Sequence, residues 1–386
     1  MRVAFIVSHP IQYYAPLHRW LARRADLQIR VFFTFHGGEK AQRDKGFGKD
    51  IAWDIPLTEG YDFEVVPNGA RNPGTHHFWG LRNPLLVESL LAWKPDVVHV
   101  TGYAYASHLQ TLRSLHRQQV PVLFRGDSHL LDERQHGWRW QLKRTLLRAI
   151  FKWPKAFLCV GRANKDYYRA FGVSESRLFD CPHSIETERF AEPDGELEQA
   201  AKAWRRELGV REQQKVVLFA GKFEDKKRPV PLMRAFLECE LQEAILFMVG
   251  DGEHGVAVRE LAGQHPERFR VLPFQNQSKM PVVYRLGDLL VLPSSHGETW
   301  GLAVNEALAC GRPALVSDRV GCHPDVVRPG VNGDVFAAQN WQDFQRKLSD
   351  LLCVDWVARR KEIKVWAKNW TIEKTGDTLV AALARL

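Results

Sequence analysis

Short apolar runs recur along this chain, and between them lie longer stretches where apolar residues return every third or fourth position. The first pattern predicts buried strands and the second amphipathic helices. In the N-terminal half, strands are predicted at 3–7, 27–35, 63–67, 96–101, 120–124 and 156–160. Helices fall between them at 15–24, 84–93, 108–118 and about 141–152. A polar helix follows at 196–208, and a new strand series starts at 216, with a last helix at 371–386. Strands alternating with helices predict the α/β class, with parallel sheets covered on both faces. The break between the two series predicts an N-terminal domain over 1–190, a linker over 191–213, a second domain over 214–365 and a closing helical segment over 366–386. No internal repeat and no low-complexity segment interrupts the pattern.

Open α/β sheets bind ligands at the carboxyl ends of their strands. The apolar run 288–294 leads into His296-Gly297-Glu298-Thr299-Trp300-Gly301-Leu302, and a helix is predicted over 302–309. Glu298 therefore sits in a strand-to-helix turn. The amides of Thr299, Trp300, Gly301 and Leu302 fall at a helix start, which favours a phosphate. Glu306 comes about two helical turns after Glu298 and is expected one layer deeper in the same cleft. Two carboxylates so spaced suit a ligand with two polyols joined by phosphates, a nucleotide sugar. The plainer reading is two surface glutamates. A second strand, 216–220, runs into Gly221-Lys222-Phe223-Glu224-Asp225-Lys226-Lys227-Arg228. Glycine lets backbone approach a ligand, and lysine ammoniums act as point charges toward phosphate. Lys226 and Arg228 are either extra charge or simply solvated.

These motifs resemble the E-x7-E and G-[RK]-x4-K elements of retaining glycosyltransferases of the GT-B fold, family 4 type. The resemblance implies two Rossmann-like domains facing across a cleft, with the last helix crossing back to the first domain. It implies that Glu298 holds donor-sugar hydroxyls, Glu306 the ribose, and Lys222 and Lys227 the diphosphate. Gly250 and Gly252 end the strand 244–249 and are expected as pocket backbone, with Gly221. The turn holding Phe274 and Gln275 is expected against the base. Cys181-Pro182-His183-Ser184-Ile185-Glu186 resembles the interdomain segment, with His183-Ser184 where Asn-Gly is usual. No Asp-x-Asp pair stands at a strand end and no His/Cys cluster has metal spacing, so no metal or other cofactor is expected. The implied reaction is transfer of a sugar, with retention, to a hydroxyl of a saccharide or lipid-linked saccharide. A nucleotide-sugar epimerase of the same architecture and an inactive binding relative are the alternatives.

The N-terminal half offers a weaker set. Ser8-His9-Pro10-Ile11-Gln12-Tyr13-Tyr14 follows the first strand, where many relatives carry Gly-Gly. His9, Gln12 and Tyr13 are acceptor-side candidates, or the segment only fixes a turn. The stretch 46–61 reads as an acceptor loop or a surface excursion. Phe124-Arg125-Gly126-Asp127-Ser128-His129 follows the strand 120–124. Relatives place a histidine near the reacting carbon here, and Asp127 or His129 takes that place. Arg125 reads as an ion-pair partner for Asp127. The plain reading is a salt-bridged loop.

Composition adds bounds. The 386 residues are 45% hydrophobic and 26% charged, as for a globular enzyme with room for two domains. Six scattered cysteines without C-x-x-C read as buried free thiols of a reducing, cytoplasmic protein. The first apolar run is too short for a signal peptide. The net charge is +9 and the pI about 9.3. No nucleic-acid module accounts for it. The segment 134–153 concentrates cations among Leu142, Leu146, Ile150 and Trp153. It fits an anionic membrane surface, with the protein peripheral on its inner face, or a core-facing stripe with a solvated basic face.

Overall fold

The computed structural model describes residues 1–35, 42–44, 49–133, 135–191 and 195–386. Gly46, Phe47 and Gly48 of the 46–61 stretch, and Arg134 of the basic segment, lie outside the described residues. The chain folds into two compact units. Unit 1 gathers Met1–Ala41, Ile55–His183 and Ile372–Leu386, and unit 2 gathers Gln42–Asp54 and Ser184–Thr371.

Unit 1 is built on a seven-stranded parallel sheet. Its order is Phe63–Val65, Gln28–Phe33, Arg2–Val7, Val97–Thr101, Val122–Gly126, Ala156–Cys159, Leu178–Asp180. Alternation splits each strand between two cores. Ala4, Ile6, Val98 and Phe124 enter one with Leu112, Phe151 and Tyr168. Val3, Phe5, Val7 and Leu158 enter the other with Leu17, Leu21, Leu379 and Leu383. The helix Ala15–Ala22 has a proline in its first turn, where no backbone N–H is needed. It packs against the last helix, Ile372–Leu383, closely enough that a Cβ on Gly376 would lie 2.3 Å from the Trp20 ring.

Unit 2 holds a six-stranded parallel sheet in the order Phe269–Leu272, Ala244–Val249, Lys215–Ala220, Leu289–Leu292, Ala314–Ser317, Gly333–Phe336. Counted along the chain this is the 3-2-1-4-5-6 order of a doubly wound nucleotide-binding sheet. The order reverses between Lys215–Ala220 and Leu289–Leu292, so the loops leaving those two strands flank the switch point. In unit 1 the reversal lies between Arg2–Val7 and Val97–Thr101. Unit 2 also includes a short antiparallel pair, Gln42–Asp44 with Lys49–Ile51, from a part of the chain that reads by sequence as N-terminal.

The basic helix spans Trp138–Ile150. Three of the apolar markers, Leu142, Leu146 and Ile150, lie on it, and Trp153 follows its end. A step of four residues turns about 400°, so the row drifts by about 40° each time. Leu142 and Leu146 are exposed, while Ile150 is buried with Trp140 and Leu147. Among the described residues no helix is long and apolar enough to cross a membrane.

Candidate functional site

At the unit 2 switch point two loops meet. The first leaves Lys215–Ala220 through Gly221. It is anchored by Phe223, whose amide donates to Asp251 O at 2.8 Å and whose buried ring lies against Phe219. A 3-10 turn over Asp225–Lys227 then presents Lys227 inward, with Arg228 in the left-handed region before the helix Pro229–Leu237. The neighbouring strand end must be glycine: a Cβ on Gly250 would sit 1.9 Å from Gly221 O. The second loop leaves Leu289–Leu292 and enters the helix Leu302–Ala309 through Gly301, at φ +97°. A Cβ there would meet Val320 Cγ1 at 2.7 Å. The two loops are joined by Ser295 N donating to Lys226 O at 2.8 Å.

The side chains complete the junction. Lys227 Nζ donates to Glu298 Oε2 at 2.5 Å, and Ser294 Oγ donates to the same oxygen at 3.1 Å. The two charged side chains are only 15% and 14% exposed. Burial alone pushes the Glu298 carboxyl up. The charge and hydrogen bond of Lys227, with Lys226 and Ser294, more than reverse this and hold it below the ordinary glutamate value. Backbone bonds fix the loop from behind: Gly321 N donates to Glu298 O and Cys322 N to Trp300 O, both at 2.9 Å. Trp300 is buried and its Nε1 donates to Asn305 Oδ1 at 2.9 Å.

Glu306 lies along the same helix and is 2% exposed. Tyr284 Oη donates to its Oε2 at 2.5 Å. Lys222 is half-buried directly after Gly221. Thr299 to Leu302 lead into the helix as expected. Phe274 and Gln275 occupy the turn after Phe269–Leu272, both half-buried. Sequence reasoning missed Ser294 and Tyr284. Ser294 stands at a strand end and was within reach of the same argument. Tyr284 reads as one more core position of the helix Met280–Leu286.

Unit 1 keeps its own candidates. His9, Gln12 and Tyr13 follow the first strand, at that sheet's switch point, and are half-buried. His9 Nδ1 lies 2.9 Å from Ser8 Oγ, and burial lowers its pKa. Arg125 is 3% exposed and turns inward. Its Nη1 donates to Cys181 O at 3.0 Å and approaches Cys181 Sγ at 3.2 Å, and its Nη2 lies 3.4 Å from His183 Nδ1. Tyr14 stacks on His183, and the Arg125 guanidinium lies over the Tyr14 ring. Asp127 is exposed and His129 is buried, with His129 Nε2 at 4.0 Å from Asp132. The loop carrying them is braced by Tyr168, which bonds both backbone groups of Gly126, and by Asn164, which donates to Ser128 O.

The two doubly wound units define the GT-B class of fold, and solved structures of that class superpose on the whole chain. Anabaena HepE, determined with UDP and glucose, matches with a TM-score of 0.70 at 15% identity over 100% of both chains. Sucrose-phosphate synthase from Thermosynechococcus elongatus matches with a TM-score of 0.72 at 18% identity, over 100% of this chain and 98% of that one. Two family models match the chain, "Glycosyl transferases group 1" over residues 200–370 and "Glycosyltransferase Family 4" over 52–189. A curated relative, the D-inositol 3-phosphate glycosyltransferase of Xylanimonas cellulosilytica, is 32% identical over 224 residues. That match covers 57% of this chain and 53% of the relative, so the chain spans about half the length of the curated relatives it matches.

Proposed function

We propose that this protein is a retaining glycosyltransferase that takes a sugar from a nucleoside diphosphate sugar and attaches it to a hydroxyl of a saccharide or lipid-linked saccharide. The observation that carries this reading is the half-enclosed Lys227–Glu298 pair at the switch point of a nucleotide-binding sheet. Solved structures of the same fold include HepE with UDP and glucose. The bond from the anomeric carbon to the diphosphate oxygen breaks, and a bond from that carbon to the acceptor oxygen forms on the same face. The acceptor's proton goes to the departing diphosphate. Lys227 and Lys222 stabilise the charge that develops there, together with the amides that open the helix Leu302–Ala309. Glu298 receives donor hydroxyls and fixes the reacting carbon, and Glu306, set by Tyr284, receives the ribose. In this reading the lysines supply the positive charge, and no metal is needed.

Asp127 and His129 follow the strand Val122–Gly126, and the family resemblance is what makes them candidates for the donor sugar. Asp127, being exposed, is the one we assign to substrate. His9, Gln12 and Tyr13 are assigned to the acceptor side. Arg125 is a scaffold cation of the Cys181–His183 turn.

We further propose that the acceptor is met at an anionic lipid surface on the cytoplasmic side, in assembly of a surface polysaccharide or glycolipid. Trp138, Leu142 and Leu146 support this: they are 71%, 62% and 58% exposed on a helix that also carries Arg139, Lys143, Arg144 and Arg148.

The test is incubation of the purified protein with UDP-, GDP- and ADP-sugars, with and without saccharide or lipid-linked acceptors. Release of nucleoside diphosphate that depends on an acceptor, and is lost in Glu298→Gln, is the expected result. Interconversion of the nucleotide sugar without an acceptor would establish the epimerase alternative instead.

A further inference from the structure

The turn Phe274–Ser278 is short, polar and placed after the edge strand Phe269–Leu272, yet it is held from two directions. On one side Arg189 donates from both terminal nitrogens to Gln277, at 2.8 Å to its carbonyl oxygen and 3.0 Å to Oε1. On the other side lies residues 52–54, the end of the early segment that belongs to unit 2. Asn276 pairs with this segment as a strand would: its Nδ2 donates to Ala52 O at 2.7 Å, and its Oδ1 accepts from Asp54 N at 3.4 Å. The Asp54 carboxylate accepts from Ser278 N at 3.1 Å and also from Ser278 Oγ. Between these bonds the Trp53 ring meets Phe274 edge-on, with centroids 6.3 Å apart. Charge-assisted hydrogen bonds to a carboxylate are about twice as strong as neutral ones.

A lone exposed excursion would not need a carboxamide, a carboxylate and a tryptophan aimed at one turn. We infer that Asp54 and Asn276 form a latch that sets the position of Phe274 and Gln275, so that Asp54 is a positioning residue for the nucleobase and Trp53 a specificity-determining one. This rests on the donor-site reading above. The latch acts on the base end of the nucleotide alone. The diphosphate is held elsewhere, by the loops of Lys222, Lys227 and Glu298, which share no hydrogen bond with residues 52–54 among those described.

The test compares the full-length protein with Asp54→Ala, Asp54→Asn and Trp53→Ala, by calorimetric titration with UDP, GDP, ADP and inorganic pyrophosphate. Thermal melting confirms that each variant is folded. Asp54→Ala should weaken the preferred nucleoside diphosphate about ten-fold. Asp54→Asn, which keeps one acceptor oxygen, should fall in between. Trp53→Ala should narrow the ratio between the preferred base and the others. Pyrophosphate affinity should not change in any variant. Unchanged nucleotide affinity in Asp54→Ala, or an equal loss for pyrophosphate, would overturn the latch while leaving the donor site standing. Failure of the unaltered protein to bind any nucleoside diphosphate would overturn the donor-site reading itself.

Discussion

The Lys227–Glu298 pair binds two opposite demands together. Each charge is largely out of water, and each is the other's main compensation. Lys227→Ala leaves the carboxylate buried without its nearest cation. A loss of about 1–3 kcal/mol in stability is expected by denaturant titration, along with loss of turnover. Glu298→Gln keeps the shape and a hydrogen bond to Lys227, so it should remain folded while turnover falls at least about a hundred-fold. The pair's pH dependence has a definite sign. The folded carboxyl titrates below its ordinary value, so its stabilisation is present above that value and is lost as pH falls through the lowered one. In Lys227→Ala the largest remaining influence is burial, which raises the carboxyl. Protonation of Glu298 should then begin at a higher pH, as NMR titration would show, and lowering the pH should relieve the buried charge rather than weaken the fold at this site.

Elements explain what the sequence disclosed. Parallel strands buried on both faces read as unbroken apolar runs, so the runs around 3–7, 216–220, 244–249 and 289–292 were legible to within a residue or two. Leu178–Asp180 was not, because a three-residue edge strand carries no pattern. The strand Gln42–Asp44 is polar throughout and depends on its partner for its conformation. The stretches Gly221–Lys227 and Glu298–Glu306 were legible since each is contiguous in the sequence. Tyr284 beside Glu306 and Cys181 beside Arg125 were not, because only folding brings them together. The helix Trp138–Ile150 shows the same limit: composition marked it as amphipathic, but only packing decided which apolar residues face out. Leu142→Glu with Leu146→Glu should leave the melting temperature within about a degree, since both side chains are already exposed. Flotation with vesicles containing anionic lipid should fall several-fold, and unchanged flotation would remove this helix from the proposed membrane contact.

At the scale of the molecule, buried imidazoles are concentrated in one place. His18, His99, His108 and His183 all belong to unit 1. Burial lowers His18 to about 3 and His108 to about 4. Burial first, and then the charge of Arg125, keep His99 and His183 well below the ordinary value. A histidine neutral in the fold and charged when unfolded stabilises the protein fully above its unfolded value of 6.5 and progressively less below it. Each such group contributes a slope of about 1.4 kcal/mol per pH unit over that window. Unit 1 should therefore lose stability between about pH 6.5 and 4, before most carboxylates titrate. Hydrogen exchange followed by mass spectrometry at neutral and mildly acidic pH should show loss of protection in peptides from 55–183 ahead of those from 215–352. Equal loss in both would count against it.

The chain's path between the units has a consequence for its birth. Unit 1 needs Ile372, Leu379, Ala382 and Leu383 to close one of its two cores, and these are translated only after all of 184–371. A nascent chain leaving the ribosome therefore carries an unfinished N-terminal core, with Leu17 and Leu21 still uncovered, while the unit encoded after it is made. The first unit begun is the last completed, so an apolar surface that the mature molecule hides stays uncovered until the final residues are made.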